Sequence, residues 1–557
     1  GTFPTNSLTV DVLNVQPMPV ISGASFAREA SPYLLTLRSN TTIDTPIVRW
    51  EVTWDVVSPL QVVELEVDSA HQVVDFIFAD GLDQTTIFAT AIDAAGNRYP
   101  AAPLDVEGFN IAPTIAVSNP STVDEGSTFT LALGEITEPA PDTVTDYIIF
   151  WGDGKQDTYT VAEIAALGEQ VTHEYGDNSQ PSLDPVNFPD PVTFVAIGLV
   201  DEDGTHRAAG FSTVEVLNVA PVVANFTSDA ATAATKSTDK HVTVTGSIVD
   251  VGAFDTHIVN IAWGDGTVSE GVPVDPATRT FTADNDYNSG GVYQITVTAI
   301  DDDGGVSEPV STSAVIQGVG IVGRNLFIVG SNDQDRLEID YDELIAEFSV
   351  ALQLNLDEFG NSADQLQTTV LAADIDNITA VLCAGNDHFA ARVSEDVVGP
   401  GDENGRPIVE IVVDGSLGND EYVIEANSID APLTIIGGDD DDVVNVGAGD
   451  LDWIESDIQV ASGEGRDSLI VDDRLQLEST AYDLSPGVAR WDDSPDSPHV
   501  VYDDELESLR VEGGLGADVF TVTPSAVIDI TVDGNAPVTR SVRPVQGDAI
   551  CLRSDST

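Results

Sequence analysis

The side chains with the widest chemical reach in this sequence are its carboxylates, and they fall in clusters. Asp201-Glu202-Asp203-Gly204 and Asp301-Asp302-Asp303-Gly304 are two acidic turns of the same design. Upstream of them stand Glu138, Asp142 and Asp146 in one case, and Asp250 and Asp255 in the other. Glu138 and Asp250 share one offset, thirteen residues before Trp151 and Trp263, which argues for a shared role. Converging carboxylates are hard oxygen donors, and calcium, taking six to eight such ligands, is the cation they suit. A further block, Asp439-Asp440-Asp441-Asp442, is the densest charge run of the chain. Extended backbone alternates its side chains, so Asp439 and Asp441 are the pair expected to share an ion there. The plainer alternative, for all these clusters, is a solvated acidic turn.

The charge balance narrows the partners. Asp and Glu number 95 against 20 Lys and Arg, a net charge of -75. Such a surface repels nucleic acid and anionic lipid, since binding either requires a basic patch that displaces counterions. It also repels itself unless cations gather on it, or unless it is adapted to a salty medium. No apolar run is long enough to cross a membrane. Two cysteines, Cys383 and Cys551, cannot build a disulfide framework. Catalytic signatures are missing: no H-E-x-x-H, no G-x-S-x-G, and no setting that would activate a cysteine. A non-enzymatic role is expected. Arg474, Arg490 and Arg510 read as counter-charges on an acidic face.

The elements that position these acids read as strands throughout. His241-Val242-Thr243-Val244-Thr245 and Val292-Tyr293-Gln294-Ile295-Thr296-Val297 alternate with period two, and turn residues interrupt such runs about every ten positions. An internal repeat organises the first half. Leu13-Asn14-Val15-Gln16-Pro17, Asn110-Ile111-Ala112-Pro113 and Leu217-Asn218-Val219-Ala220-Pro221 are linker-like copies of one another. Between them Trp151-Gly152-Asp153-Gly154 recurs as Trp263-Gly264-Asp265-Gly266. A weaker first copy has Trp50 to Asp55 and the turn Asp93-Ala94-Ala95-Gly96-Asn97. The period of about a hundred residues is that of one immunoglobulin-like sandwich. The B–C and F–G loops of such a sandwich share one end, which would bring each upstream acid pair to its acidic turn.

These residues resemble the PKD domain, an immunoglobulin-like module of bacterial surface proteins, over roughly residues 12–316. The resemblance is specific in the second and third units and degenerate in the first. Beyond residue 317 the pattern changes to G-G-x-G-x-D-x-U-x, where U is a large apolar residue. Gly513-Gly514-Leu515-Gly516-Ala517-Asp518-Val519-Phe520-Thr521 is a complete match, and partial ones carry Asp335, Asp387, Asp420, Asp442 and Asp467. Steps between these aspartates lie mostly near one or two multiples of 25, which suits one coil of a parallel β-helix. This half resembles haemolysin-type calcium-binding repeats and the β-solenoid regions of very large secreted proteins of planctomycete-like bacteria. The family's β-roll stacks its nonapeptides back to back. Here they are solitary, so its calcium sites do not carry over.

The expectation is an all-β chain of three tandem immunoglobulin-like sandwiches followed by a right-handed parallel β-helix-like solenoid. The boundaries are 1–112, 113–220 and 221–316 for the sandwiches, 317–540 for the solenoid, and 541–557 for a boundary into a further unit. Gly1 to Pro17 would supply the last strand and linker of a preceding unit. The function expected is mechanical: a structural module of an elongated extracellular bacterial surface protein (fibre, sheath, S-layer or adhesin). Calcium would lie at Glu138, Asp142, Asp201 and Asp203, and again at Asp250, Asp255, Asp301, Asp302 and Asp303. Partners would be other copies or domains, head to tail, or surface glycans and proteins. The alternative is a glycan-binding accessory region of a polysaccharide-degrading enzyme, for which Trp453 and Trp491 are the aromatic platforms to inspect.

Overall fold

In the computed structural model the chain is built almost wholly of strands, and only one short helix, Val161–Ala166, exceeds a single turn among the described residues. The structure describes residues 16–39, 46–54, 61–64, 71–77, 84–138, 142–178, 192–362, 364–394, 408–492, 497–535 and 549–552. The strand expected within residues 1–15 and most of the boundary expected at 541–557 lie outside them. Period-two alternation does what it predicts: His241–Val249 and Gly291–Asp301 bury every second side chain. The chain forms two compact units, Gly1–Val219 with Val251–Asp255, and Ala220–Asp250 with Thr256–Thr557.

The first unit holds two immunoglobulin-like sandwiches. In the first, Pro19–Ser22, Pro32–Ser39 and His71–Ile77 form one sheet. The other sheet is ordered Phe26–Arg28, Leu104–Phe109, Thr85–Asp93, Ile47–Trp54, Gln61–Glu64. In the second, Thr114–Ser118, Thr128–Thr137 and Gln170–Glu174 face a five-stranded sheet. That sheet runs Thr122–Asp124, Gly204–Leu217, Val192–Asp201, Asp146–Phe150, Gln156–Thr160. Phe26–Arg28 and Thr122–Asp124 pair parallel with the last strands of their own domains, whereas the neighbouring pairs are antiparallel.

The tryptophan motif anchors the cores. Trp151 follows the strand Asp146–Phe150 and is fully buried, with Phe129 edge-on at 6.2 Å and the His173 ring stacked at 4.6 Å. Gly152 has φ 93°, and a Cβ there would meet the Phe194 carbonyl oxygen at 2.6 Å, so only glycine lets the neighbouring strand close in. In the first sandwich Trp54 takes this place, stacked on Phe76 at 4.0 Å, without the glycines. Truncating such a ring to Ala costs roughly 3–5 kcal/mol.

The second unit opens with a third sandwich. Val222–Ser228, His241–Val249 and Thr280–Asp286 form one sheet; Val268–Pro273, His257–Ala262, Gly291–Asp301 and Val310–Ile316 form the other. Trp263 fills its core. From Gly318 onward two long sheets of mainly parallel strands take over. One stacks Asn325–Val329, Asn377–Val381, Glu410–Asp414, Leu433–Asp439, Ile458–Glu464 and His499–Tyr502 in parallel. The other stacks Arg336–Asp342, His388–Arg392, Glu421–Ala426, Val443–Val446, Ser468–Asp472, Ser508–Glu512 and Asp529–Asp533. From Asn325 to Asp472 the strands alternate between these two sheets, apart from added hairpins, so the chain winds as a coil around one apolar core.

The repeat aspartates sit where each coil turns into the second sheet. Asp335, Asp387, Asp420, Asp442 and Asp467 immediately precede its strands and are buried. Asp518 departs from this scheme. It precedes Val519–Val522, which belongs to the first sheet, and the next position of the column is Glu507. The antiparallel strands Ala481–Ser485 and Val488–Trp491 lengthen this coil and shift the complete nonapeptide out of register with its partial copies.

Candidate functional site

The loops expected to meet do meet. In the second sandwich the Thr143 N–H donates to Glu202 Oε2 at 2.8 Å, and in the third the Thr256 N–H donates to Asp302 Oδ1 at 2.8 Å. The first acid of each turn is engaged in holding it. Asp201 Oδ1 accepts from the N–H groups of Asp203 and Gly204, and its Oδ2 lies 2.8 Å from His206 Nε2. Asp301 Oδ1 accepts from Asp303 and Gly305 in the same way. Asp93 does this for Ala95 and Asn97, and its bonds to Asn97 above all hold its carboxyl below the usual carboxylate range despite opposing desolvation.

A carboxylate pocket forms at the joint between the first two sandwiches. Glu29, Glu138 and Asp142 each place an oxygen within 4.8 Å of the others. Glu29 follows the strand Phe26–Arg28 of the first sandwich, while Glu138 follows Thr128–Thr137 of the second. Glu29 is 1% exposed; its Oε1 accepts from the Ile111 N–H of the linker, and its Oε2 has no hydrogen-bond partner. Asn110, the preceding linker residue, donates from Nδ2 to Asp203 Oδ2 at 2.7 Å. Its Oδ1 is buried and accepts no hydrogen bond. Three carboxylates this close repel one another, and a buried carboxylate oxygen without a donor needs a positive charge or a proton. The donor set is all oxygen and mostly anionic, which fits calcium.

A second group in the first unit joins Glu125, Asp177 and Asp255, again within 4.8 Å. Glu125 Oε1 accepts from the Val219 N–H at 2.8 Å, the counterpart of the bond from Ile111 to Glu29. Glu29 and Glu125 are thus equivalent residues of the repeat. Sequence reasoning missed both, and Asn110 and Asp177 with them. The available signal was the echo of Glu29-Ala30-Ser31 in Glu125-Gly126-Ser127, where Ala30 and Gly126 both adopt positive φ.

The remaining candidates are placed as follows. Asp250 pairs with His257, Oδ2 to Nε2 at 2.7 Å, both side chains buried. Asp439 and Asp441 are exposed, and Asp441 Oδ1 accepts from the Arg466 N–H at 2.9 Å. No three-ligand group among the described residues includes either. Trp491 is 6% exposed and belongs to the core, whereas Trp453 is 53% exposed. Arg474 pairs with Asp472 and Glu512.

No family model matches the chain, and no curated protein matches it. Among solved structures, it is similar to a tetra-tandem repeat in the extending region of a large adhesion protein. The identity is 16%, over 64% of this chain and 89% of that one, with a TM-score of 0.32. The D1–D4 ectodomain fragment of ICAM-5 matches at 12% identity over 64% and 99%, TM-score 0.27. The FN1–FN3 domains of chicken CNTN1 match at 11% over 54% and 99%, TM-score 0.15. Scores this low carry no functional conclusion.

Proposed function

We propose that this chain is a spacer segment of an extracellular surface adhesin, with its first two sandwiches stiffened by calcium at their acidic joint. The observation that carries the reading is the pocket of Glu29, Glu138 and Asp142, which draws ligands from two domains and holds the linker between them. A cation there neutralises the carboxylates and ties the domains together, at a position where a linker alone would leave a hinge. The role is mechanical, and partners are further domains or copies arranged head to tail, or molecules of the surface to be gripped.

Calorimetric titration of the full chain with calcium tests the reading, using Glu29→Gln as the control. Saturable binding that raises the melting temperature, and that weakens in the variant, is expected. Absence of heat and of any thermal shift at millimolar calcium would remove the stiffening mechanism. Glycan binding has only Trp453 as an exposed tryptophan platform among the described residues.

A further inference from the structure

The coil contains a column of buried carboxyls linked rung to rung through the main chain. The N–H of Asp335 donates to Asp387 Oδ1 at 2.6 Å, that of Asp387 to Asp420 Oδ1 at 2.7 Å, and that of Asp420 to Asp442 Oδ1 at 2.8 Å. Asp442 continues to Asp467 Oδ1 at 2.9 Å, and Asp467 to Glu507 Oε2 at 2.7 Å. The five aspartates are at most 2% exposed. One oxygen of each lower rung is therefore satisfied. The other is not: Oδ2 of Asp387, Asp420, Asp442 and Asp467 is buried with no hydrogen-bond partner.

The surroundings of Asp420 Oδ2 say what is missing. Asp420 Oδ2, the Tyr422 hydroxyl and the Gly437 carbonyl oxygen crowd the point where a Cβ on Gly415 would stand. Tyr422 has one proton to share among the Ile436 and Gly437 carbonyls, at 3.2 and 3.3 Å, and the Asp420 carboxyl beside it. The oxygens gathered here outnumber the hydrogens, and the arrangement is one short. The pattern repeats where Asp442 Oδ2 and the Ser462 carbonyl flank Gly437, whereas Asp335 Oδ2, beside Gly330 and the Leu382 carbonyl, accepts from the Ser331 N–H.

We propose that Asp387 and Asp420 are carboxylic acids rather than carboxylates in the folded coil, and that loss of these internal protons in alkali loosens it. In Asp420 the acid proton on Oδ2 is donated to the Tyr422 hydroxyl or the Gly437 carbonyl, completing the set. Calcium fits this column less well. With Oδ1 occupied by a main-chain N–H, a rung offers one carboxylate oxygen and a nearby carbonyl, against the six to eight oxygens calcium takes. No three carboxylates of the column converge among the described residues.

The charged neighbours supply one weak counter-charge, from Lys236, which lowers the Asp387 carboxyl less than its burial raises it. Asp387 is faced by Asp335, Asp420, Cys383 and Lys236. Lys236 is the one cation among them, and its Nζ is bonded to the Ser331 carbonyl and Asn332 Oδ1. Asp420 is faced by Tyr422, Asp414, Asp440, Asp387 and Asp442, all acids or a phenol. Burial pushes the Asp387 carboxyl up to about 9 and that of Asp420 up to about 7, against the pull of the N–H bonds they accept.

The test uses the full chain in chelator-containing buffer, with Asp387→Asn, Asp420→Asn and the double variant. Asparagine keeps the Oδ1 acceptor and supplies a permanent donor in place of the acid proton. Infrared spectroscopy of the parent protein at pH 7 should show the C=O stretch of protonated carboxyl groups, diminished in the double variant. Calorimetry from pH 5 to 9 should show the coil's melting temperature falling by on the order of 10 °C in the parent. The fall should flatten in the double variant, which should melt higher than the parent at pH 9. Absence of the acid band in the parent overturns the proposal, even if a variant fails to fold. So does an unchanged pH slope in the variants. Restoration of the parent's stability at pH 9 by millimolar calcium, lost in the double variant, would make the rungs cation sites instead and also overturn it.

Discussion

The Tyr175 hydroxyl donates to the Trp151 carbonyl at 3.0 Å, and Tyr287 repeats the bond to Trp263 at 2.8 Å, each pair 24 residues apart. Both tyrosines are buried, and burial raises the Tyr175 hydroxyl above its usual range. The bond therefore closes the end of the tryptophan strand against the strand that follows the hairpin. Tyr175→Phe should destabilise the second sandwich by about 1 kcal/mol, because a buried carbonyl loses its donor. Tyr287→Phe should do the same to the third. Chemical denaturation of the single variants and their combination checks this; the two effects should add, since they lie in separate cores.

Two glycine substitutions should separate crowding from backbone strain. Alanine at Gly415 would collide with the Asp420 carboxyl and the Gly437 carbonyl, and should cost about 2–3 kcal/mol as an overpacked core does. Gly154 has φ 86°, and a Cβ added there would have nothing within 4 Å, so alanine meets only the left-handed penalty of about 1 kcal/mol. Thermal unfolding of the two variants gives the ranking.

Glu29 and Glu138 should contribute unequally to calcium binding at the first joint. Glu29→Gln removes a charge that is almost wholly buried and also weakens the hold on Ile111, so the affinity should fall about tenfold or more. Glu138→Gln removes a charge whose oxygens are also buried but leaves the hold on Ile111 intact, and should cost less. Isothermal titration of each variant measures the difference.

The pH dependence of the coil has a definite sign. The carboxyls of Asp387, Asp420, Asp442 and Asp467 lie at about 9, 7, 7 and 6, raised first by burial. The folded coil therefore holds protons that an unfolded chain releases near pH ~4. Their stabilisation is complete below that value and is lost progressively as pH rises through the four folded-state values. Hydrogen exchange of the coil amides should accelerate over this window beyond the intrinsic effect of base.

Cys383 offers a probe of the same region. It is buried, and desolvation pushes its thiol up to about 11. Alkylation at about pH 8 should leave it unmodified in the native protein and modify it fully in denaturant, as peptide mass spectrometry would show.

Much of the first half was legible because its signals are local. Trp151-Gly152-Asp153-Gly154 and its copy specify a buried ring and a turn within four residues, and the structure places both as expected. Glu29 was harder to read: among 95 acids its local mark is the three-residue echo in Glu125-Gly126-Ser127, and its role depends on a linker 82 residues away. The acidic turns were legible as turns, but not the part each acid plays in them. Asp201 and Asp301 use their Oδ1 atoms to cap the turns that display their neighbours. Asp518 carries the best match to the coil pattern and lies outside the column, because the hairpin before it changes which sheet its strand joins. Glu507 completes the column without any of the flanking glycines.

The parallel pairing of Thr122–Asp124 with residues 215–217 has a consequence for a molecule under tension. These segments lie near the beginning and the end of one domain, so a load transmitted along the chain draws them in opposite directions on a common axis. Their rungs are then sheared together instead of being unzipped singly, and Phe26–Arg28 with residues 107–109 gives the first domain the same clasp. Both clasps lead directly into the joint acids, through the N–H of Glu125 to Leu217 and of Glu29 to Phe109. Resistance to stretching is thereby concentrated in a few peptide groups, and whatever fills the adjoining pocket would decide how firmly they are gripped.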